Sequence, residues 1–172
     1  MAGQDVTWKN IALFAGLGAA EIERIAPIFE RQRFAAGKQV IVEGEPGEEM
    51  FILVFGTVRV TKAMVIAGMA IPGLDPAKSR KVLATLNAAS YPMFGEMALI
   101  DSDIRSASVA TVEESEFLVT GRERFFDLVH REPGIGCKLL AAISRRMAAT
   151  VRKNNAELIK LTTALALALS RR

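Results

Sequence analysis

Between Gly136 and Ser170 the chain contains neither proline nor glycine. A run of that kind permits one helix of roughly 35 residues, about 50 Å long at 1.5 Å per residue. Such a helix outreaches a small domain, so only part of it can pack on the body formed by the preceding residues. That body begins helical. "GAAEIERIAPIFERQ" (18–32) places Ile22, Ile25, Ile28 and Phe29 on one stripe, with Glu21, Glu23 and Arg24 off it. From Gly37 the period changes. In "KQVIVEGEPGEEMFILVFGTVRVTK" (38–62) β-branched and aromatic residues come in short runs, cut by Gly44-Glu45-Pro46-Gly47 and by Gly56. Further strand-like runs follow at 81–86, 106–112 and 115–121. Short strands with closely spaced turn signals predict an antiparallel sandwich or barrel. "RERFFDLVHRE" (122–132) is amphipathic and is read as stopping at Pro133-Gly134. The expected fold is α+β: an antiparallel, jelly-roll-like β-roll flanked by an N-terminal helix and long C-terminal helices. Its expected parts are a helical segment 1–30, a roll 31–121 and helices 122–172, all in a single domain. Alternating β-α units and both glycine-rich phosphate fingerprints are missing, which excludes Rossmann and P-loop architectures.

Composition narrows the function. At 172 residues the chain suits one ordinary domain. The 22 basic and 19 acidic residues leave a net charge of +3, with no long basic run, so nucleic acid is not an expected partner. One cysteine, Cys137, excludes an internal disulfide and fits a reducing compartment; it is expected to be a buried small hydrophobe. "MAGQDVTWKNIALFAG" carries polar residues where a secretory signal needs an apolar core. "AMVIAGMAIPGL" (63–74) and "LTTALALALS" (161–170) both fall short of the roughly 20 apolar residues of a spanning helix. The expectation is a soluble cytoplasmic protein with no membrane partner and no metal site.

One stretch carries chemistry: "FGEMALIDSDIRSAS" (94–108). Gly95 permits close backbone approach, and Glu96-Met97-Ala98-Leu99 can form a short helical turn whose free N–H groups favour an anion. Arg105 lies far enough on for the chain to turn and bring its guanidinium over the same spot, where a planar fork of donors matches phosphate oxygens. Glu96 repels phosphate but can accept from a hydroxyl, such as that of a ribose. An anion and a sugar hydroxyl side by side describe a nucleotide.

Phe94-Gly95-Glu96-Met97-Ala98-Leu99, the linker Ile100 to Ile104, and Arg105-Ser106-Ala107-Ser108-Val109 together resemble the phosphate-binding cassette of the cyclic nucleotide-binding domain family. The resemblance extends over about residues 12 to 155, including "FAGLGAAEIERIAPIFERQRFAAGKQVIVEGEPGEEMFILVFGTVRV" (14–60) and "RERFFDLVHREP" (122–133). It implies that Glu96 binds the ribose 2′-hydroxyl and Arg105 the cyclic phosphate. Gly95, Met97 and Ala98 would add backbone contacts, Ser106 a hydrogen bond to phosphate or base, with Ala107 beside it. Thr150 lies where the family's C-terminal helix crosses the base. The resemblance thus implies a stand-alone sensor for cAMP or cGMP, not an enzyme, with an effector protein as partner and a C-terminal helix that moves on binding. The alternative is a ligand-free roll acting as an interaction or dimerisation module.

Three features depart from the family. The segment 61–81 is longer than its usual hairpin, Ser90-Tyr91-Pro92 replaces a glycine before the cassette, and no helix-turn-helix follows the long helix. The last point predicts no DNA-binding domain. Along the long helix, Leu140, Met147, Asn154, Leu161 and Ala168 share one heptad position, and Ser144, Val151, Leu158 and Leu165 share another. That seam predicts a homodimer, its register fixed by Asn154.

Overall fold

The computed structural model describes residues 6–64 and 80–170, so most of the apolar segment read at 63–74 lies outside the described residues. Among the described residues, eight strands form two four-stranded sheets with antiparallel pairing throughout. They are β1 (Glu30–Phe34), β2 (Gln39–Ile41), β3 (Glu49–Phe55), β4 (Thr57–Ala63), β5 (Arg80–Asn87), β6 (Met93–Phe94), β7 (Ser108–Thr111) and β8 (Ser115–Gly121). One sheet has the order β1-β8-β3-β6 and the other β2-β7-β4-β5. Among the described residues there are four α-helices besides short 3-10 turns: α1 (Ala19–Ile25), α2 (Glu96–Asp101), α3 (Arg122–Arg131) and α4 (Pro133–Leu169). This is the α+β roll with flanking helices that the sequence predicts.

The strand β3 explains how the layers are held. Its run "MFILV" (50–54) is buried on both faces, so it reads as continuous rather than alternating. Phe51 and Leu53 point between the sheets, where they meet Phe94, Phe117, Val58 and Val109. Met50, Ile52 and Val54 point the other way, onto Phe14, Ile25, Phe125, Leu139 and Ile143 of the helical layer. Trp8 joins that layer through edge and tilted contacts with Phe29 and Phe14.

Several expectations need correction. The N-terminal helical segment was expected to reach residue 30, but α1 ends at Ile25 and a 3-10 turn at Ala26–Ile28 leads into β1. Pro27 lacks the N–H that would bond Glu23, so the helix cannot continue. The charged strand that follows is fixed across the sheet, where Arg31 and Arg33 each donate to buried Glu116 at 2.7 Å. At the other end α3 stops at Arg131, just before Pro133-Gly134 as expected, and Pro133 is at once the first residue of the 37-residue α4, which starts earlier than Gly136. A proline there sacrifices only an N–H that has no partner anyway. Cys137, expected inside, is exposed because it lies off the face of α4 that carries Ile135, Leu139 and Ile143 into the core.

Candidate functional site

The cassette is built where β6 ends. Gly95, at φ 84°, caps α2 in the left-handed region, and a Cβ there would lie 2.6 Å from the Glu49 carbonyl oxygen and 2.8 Å from Arg105 Nη1. Only glycine fits that conformation and that gap without strain. After α2, Ser102 also turns left-handed, and Ile104 then forms an antiparallel bridge with Pro46. Arg105 is then fixed by its own backbone: its N–H donates to the Glu45 carbonyl and its carbonyl accepts from Gly44, both at 2.9 Å. The Gly44-Glu45-Pro46-Gly47 turn is therefore the seat of the arginine.

The Arg105 side chain is buried, at 6% exposure. Nη1 donates to the Glu49 carbonyl and Nη2 to the Glu49 carboxylate, each at 2.7 Å, and the guanidinium lies 6.0 Å from the Phe51 ring centroid. Burial lowers its pKa, while the charge and hydrogen bond of Glu49 oppose that shift. The group remains a cation at any physiological pH. Nε and the second N–H of Nη2 have no hydrogen-bond partner among the described residues, so the fork keeps donors for a ligand. Gly47 provides the space, since a Cβ there would overlap the guanidinium at Nε, Nη2 and Cζ. Gly47→Ala is accordingly expected to push Arg105 off its seat and weaken anion binding about tenfold or more. Gly134→Ala, which meets open space, serves as the neutral control in the same calorimetric titration.

Glu96 faces the same space from the first turn of α2. It pairs with Arg146 of α4, whose Nε donates to Oε1 at 3.3 Å while Nη2 donates to the Met93 carbonyl at 2.5 Å. The two charges singled out in the sequence thus do not pair with each other. Each has its own partner, Glu49 for Arg105 and Arg146 for Glu96. Neither partner was visible in the sequence, because β3 and α4 reach the cassette only through the tertiary fold.

All eight residues named from the sequence border one cavity of about 360 Å³: Gly95, Glu96, Met97, Ala98, Arg105, Ser106, Ala107 and Thr150. That volume lies in the range of small-ligand pockets, roughly 300–1,000 Å³. The Ser106 hydroxyl rests 3.9 Å from the Met97 sulfur. Sequence reasoning missed the far walls. One is Val60, Leu83, Ala84 and Leu86 of the β4–β5 pair; the other is Arg146, Lys153 and Asn154, which share a helix face with Thr150. Val60 pairs with Ala84 but Thr61 with Val82, so β5 holds one extra residue, Leu83, at the cavity rim.

A profile of the cyclic nucleotide-binding domain matches residues 31–132, more than half of the sequence. The chain belongs to the cyclic nucleotide-binding domain family. Among its relatives, the cyclic AMP receptor protein of Thermus thermophilus is 30% identical over 139 residues, covering 81% of this chain and 58% of the relative. Human cGMP-dependent protein kinase 2 is 32% identical over 118 residues, which is 68% of this chain but 14% of the kinase. The chain therefore spans less than two thirds of these relatives. The crystal structure of the Thermus thermophilus catabolite activator protein superposes with a TM-score of 0.68 at 30% identity, covering 88% of this chain and 63% of that one. A cyclic nucleotide-binding domain from Methylobacillus flagellatus gives a TM-score of 0.70 at 23% identity over 83% of this chain and 73% of its own, a likeness of fold. Among the described residues no helix is long and apolar enough to cross a membrane.

Proposed function

We propose that this cavity binds cAMP or cGMP without covalent chemistry and that the chain acts as a sensor rather than an enzyme. The observation that carries the reading is the convergence of an arginine fork, a carboxylate and a helix face on a single space. Arg105 Nε and the first amides of α2 receive the cyclic phosphate, and Glu96 accepts from the ribose 2′-hydroxyl. The purine lies between the β4–β5 wall and Thr150, with Met97 and Ala98 closing the side. Relatives named for cAMP and for cGMP both support a cyclic purine nucleotide as the class.

The switch runs through Arg146. A ribose hydroxyl on Glu96 competes with the guanidinium that ties α4 to the cassette, so occupancy and helix position are linked. A ligand shifts that equilibrium only by its differential affinity for the two positions. Output then passes along α4, whose residues 151–169 are exposed and carry the apolar seam that suits a second copy of the chain.

Saturating nucleotide tests the reading. At one hundred times its dissociation constant a native-state ligand adds about 2.7 kcal/mol, equivalent to roughly 5–10 °C in melting temperature for a chain of this size. At least one of cAMP and cGMP is expected to give such a shift. Unchanged melting with both would reject the proposal.

A further inference from the structure

A second polar cluster lies beside the cassette. Lys62, near the end of β4, donates through Nζ to the Ser106 carbonyl at 2.6 Å. Arg80, the first residue of β5, donates through Nη2 to Ser108 Oγ and to Glu43 Oε2, each at 2.8 Å, and through Nε to Thr61 Oγ1 at 3.1 Å. Glu43 completes the circuit. Its Oε2 accepts from the Ala63 N–H at 2.9 Å, its Oε1 lies 3.6 Å from Lys62 Nζ, and its own N–H donates to Ser108 Oγ at 2.9 Å. The Glu43 carboxyl is only 19% exposed. Burial raises its pKa, but the Ala63 N–H and the charges of Lys62 and Arg80 outweigh that and hold it below the ordinary carboxylate value.

These contacts meet at the short arm that carries Arg105. Residues 106 and 107 precede β7, whose ladder with β4 begins at Ser108, so the sheet does not fix them. Their position depends on the Gly44-Glu45 turn on one side and on Lys62 and Arg80 on the other. Lys62 and Arg80 also flank the segment that joins β4 to β5. The two strands root that segment, and the same two side chains grip the cassette.

We infer that Glu43, Lys62 and Arg80 are positioning residues for the cyclic nucleotide site, forming an ionic clamp that couples the base of the β4–β5 hairpin to the arginine arm of the cassette. The inference rests on the nucleotide reading for its consequence but not for its existence. A change at Glu43, Lys62 or Arg80 then alters ligand affinity through the Ser106 carbonyl and the Ser108 hydroxyl.

Hydrogen exchange on the full nucleotide-free chain, paired with calorimetric titration of cAMP and cGMP, tests this in Arg80→Ala, Arg80→Lys and Ser108→Ala. Arg80→Ala is expected to speed amide exchange across residues 105–108 selectively. It is also expected to weaken nucleotide binding about tenfold, the scale of a lost charge-assisted hydrogen bond. The melting temperature of the free chain should move by no more than about 2 °C, since Arg80 is partly exposed. Arg80→Lys keeps the charge and should restore part of both effects. Combining Arg80→Ala with Ser108→Ala should cost less than the sum of the two, because they share one contact. Unchanged exchange at 105–108 in Arg80→Ala, or a rise spread evenly over the chain, would overturn the clamp. A wild-type chain that binds neither nucleotide would instead sink the nucleotide reading and leave the exchange result to decide the clamp alone.

Discussion

Arg105→Ala is expected to weaken cyclic nucleotide binding by at least about 30-fold while the chain stays folded, because removing one side of a buried charge pair costs about 2–5 kcal/mol of binding. The loss is large because the guanidinium is held at the cavity before any ligand arrives. Its backbone is clamped by Gly44 and Glu45, and its fork is oriented by the carbonyl and one carboxylate oxygen of Glu49. The cost to folding is small for two reasons. Glu49 is half-exposed and regains water when its partner goes, and the buried guanidinium already bears a desolvation penalty that the alanine removes. Arg105→Lys keeps the charge but loses the planar fork and should fall between the two. Titration calorimetry alongside thermal melting separates affinity from stability. Affinity within threefold of wild type in Arg105→Ala would remove the arginine from the site.

The second large effect concerns α4. The double substitution Leu158→Glu with Leu165→Glu is expected to turn a dimer into a monomer, read by light scattering on a sizing column. In the single chain every residue from Val151 to Leu169 is exposed, with Leu158 at 59% and Leu165 at 60%. Burying one leucine is worth roughly 1.5–3 kcal/mol, and a twofold seam buries each of these positions twice. Asn154 sits in the same seam, where an amide pair favours parallel, in-register packing. Few charges oppose association along it, since Arg152, Lys153 and Lys160 lie off the two seam positions. A wild-type chain that runs as a monomer at tens of micromolar, or a double variant that stays dimeric, would contradict this.

How much of this was legible depends on how local the determinant is. The cassette could be read because Gly95, Glu96 and Arg105 sit within one short stretch whose turn brings its ends together. The strands β3, β7 and β8 could be read because β-branched and aromatic runs between glycines have few alternatives. The long helix followed from the absence of breakers. What escaped depends on distant chain. Glu49 and Arg146 are ordinary surface-type residues until β3 and α4 fold beside the cassette, and no spacing announces them. Gly47 looked like one more turn glycine, although its missing Cβ is what seats Arg105. The strand β1 was not singled out because its run is mostly charged and because Ile28 and Phe29 prolong a helical stripe that Pro27 has already ended. Cys137 was misplaced because burial on α4 is decided by which face meets the core, and its neighbours Gly136 and Leu139 take that face.

The central claim is that a cyclic nucleotide sits between the cassette and α4. An amide NMR titration of the isotopically labelled chain with cAMP, and separately with cGMP, tests it most directly. The account predicts saturable shifts with at least one of them, largest at residues 95–98 and 105–107, with a further response along α4 from Arg146 to Asn154. Spectra unchanged at millimolar concentrations of both nucleotides, or saturable shifts that leave Gly95, Glu96 and Arg105 unmoved, would contradict it.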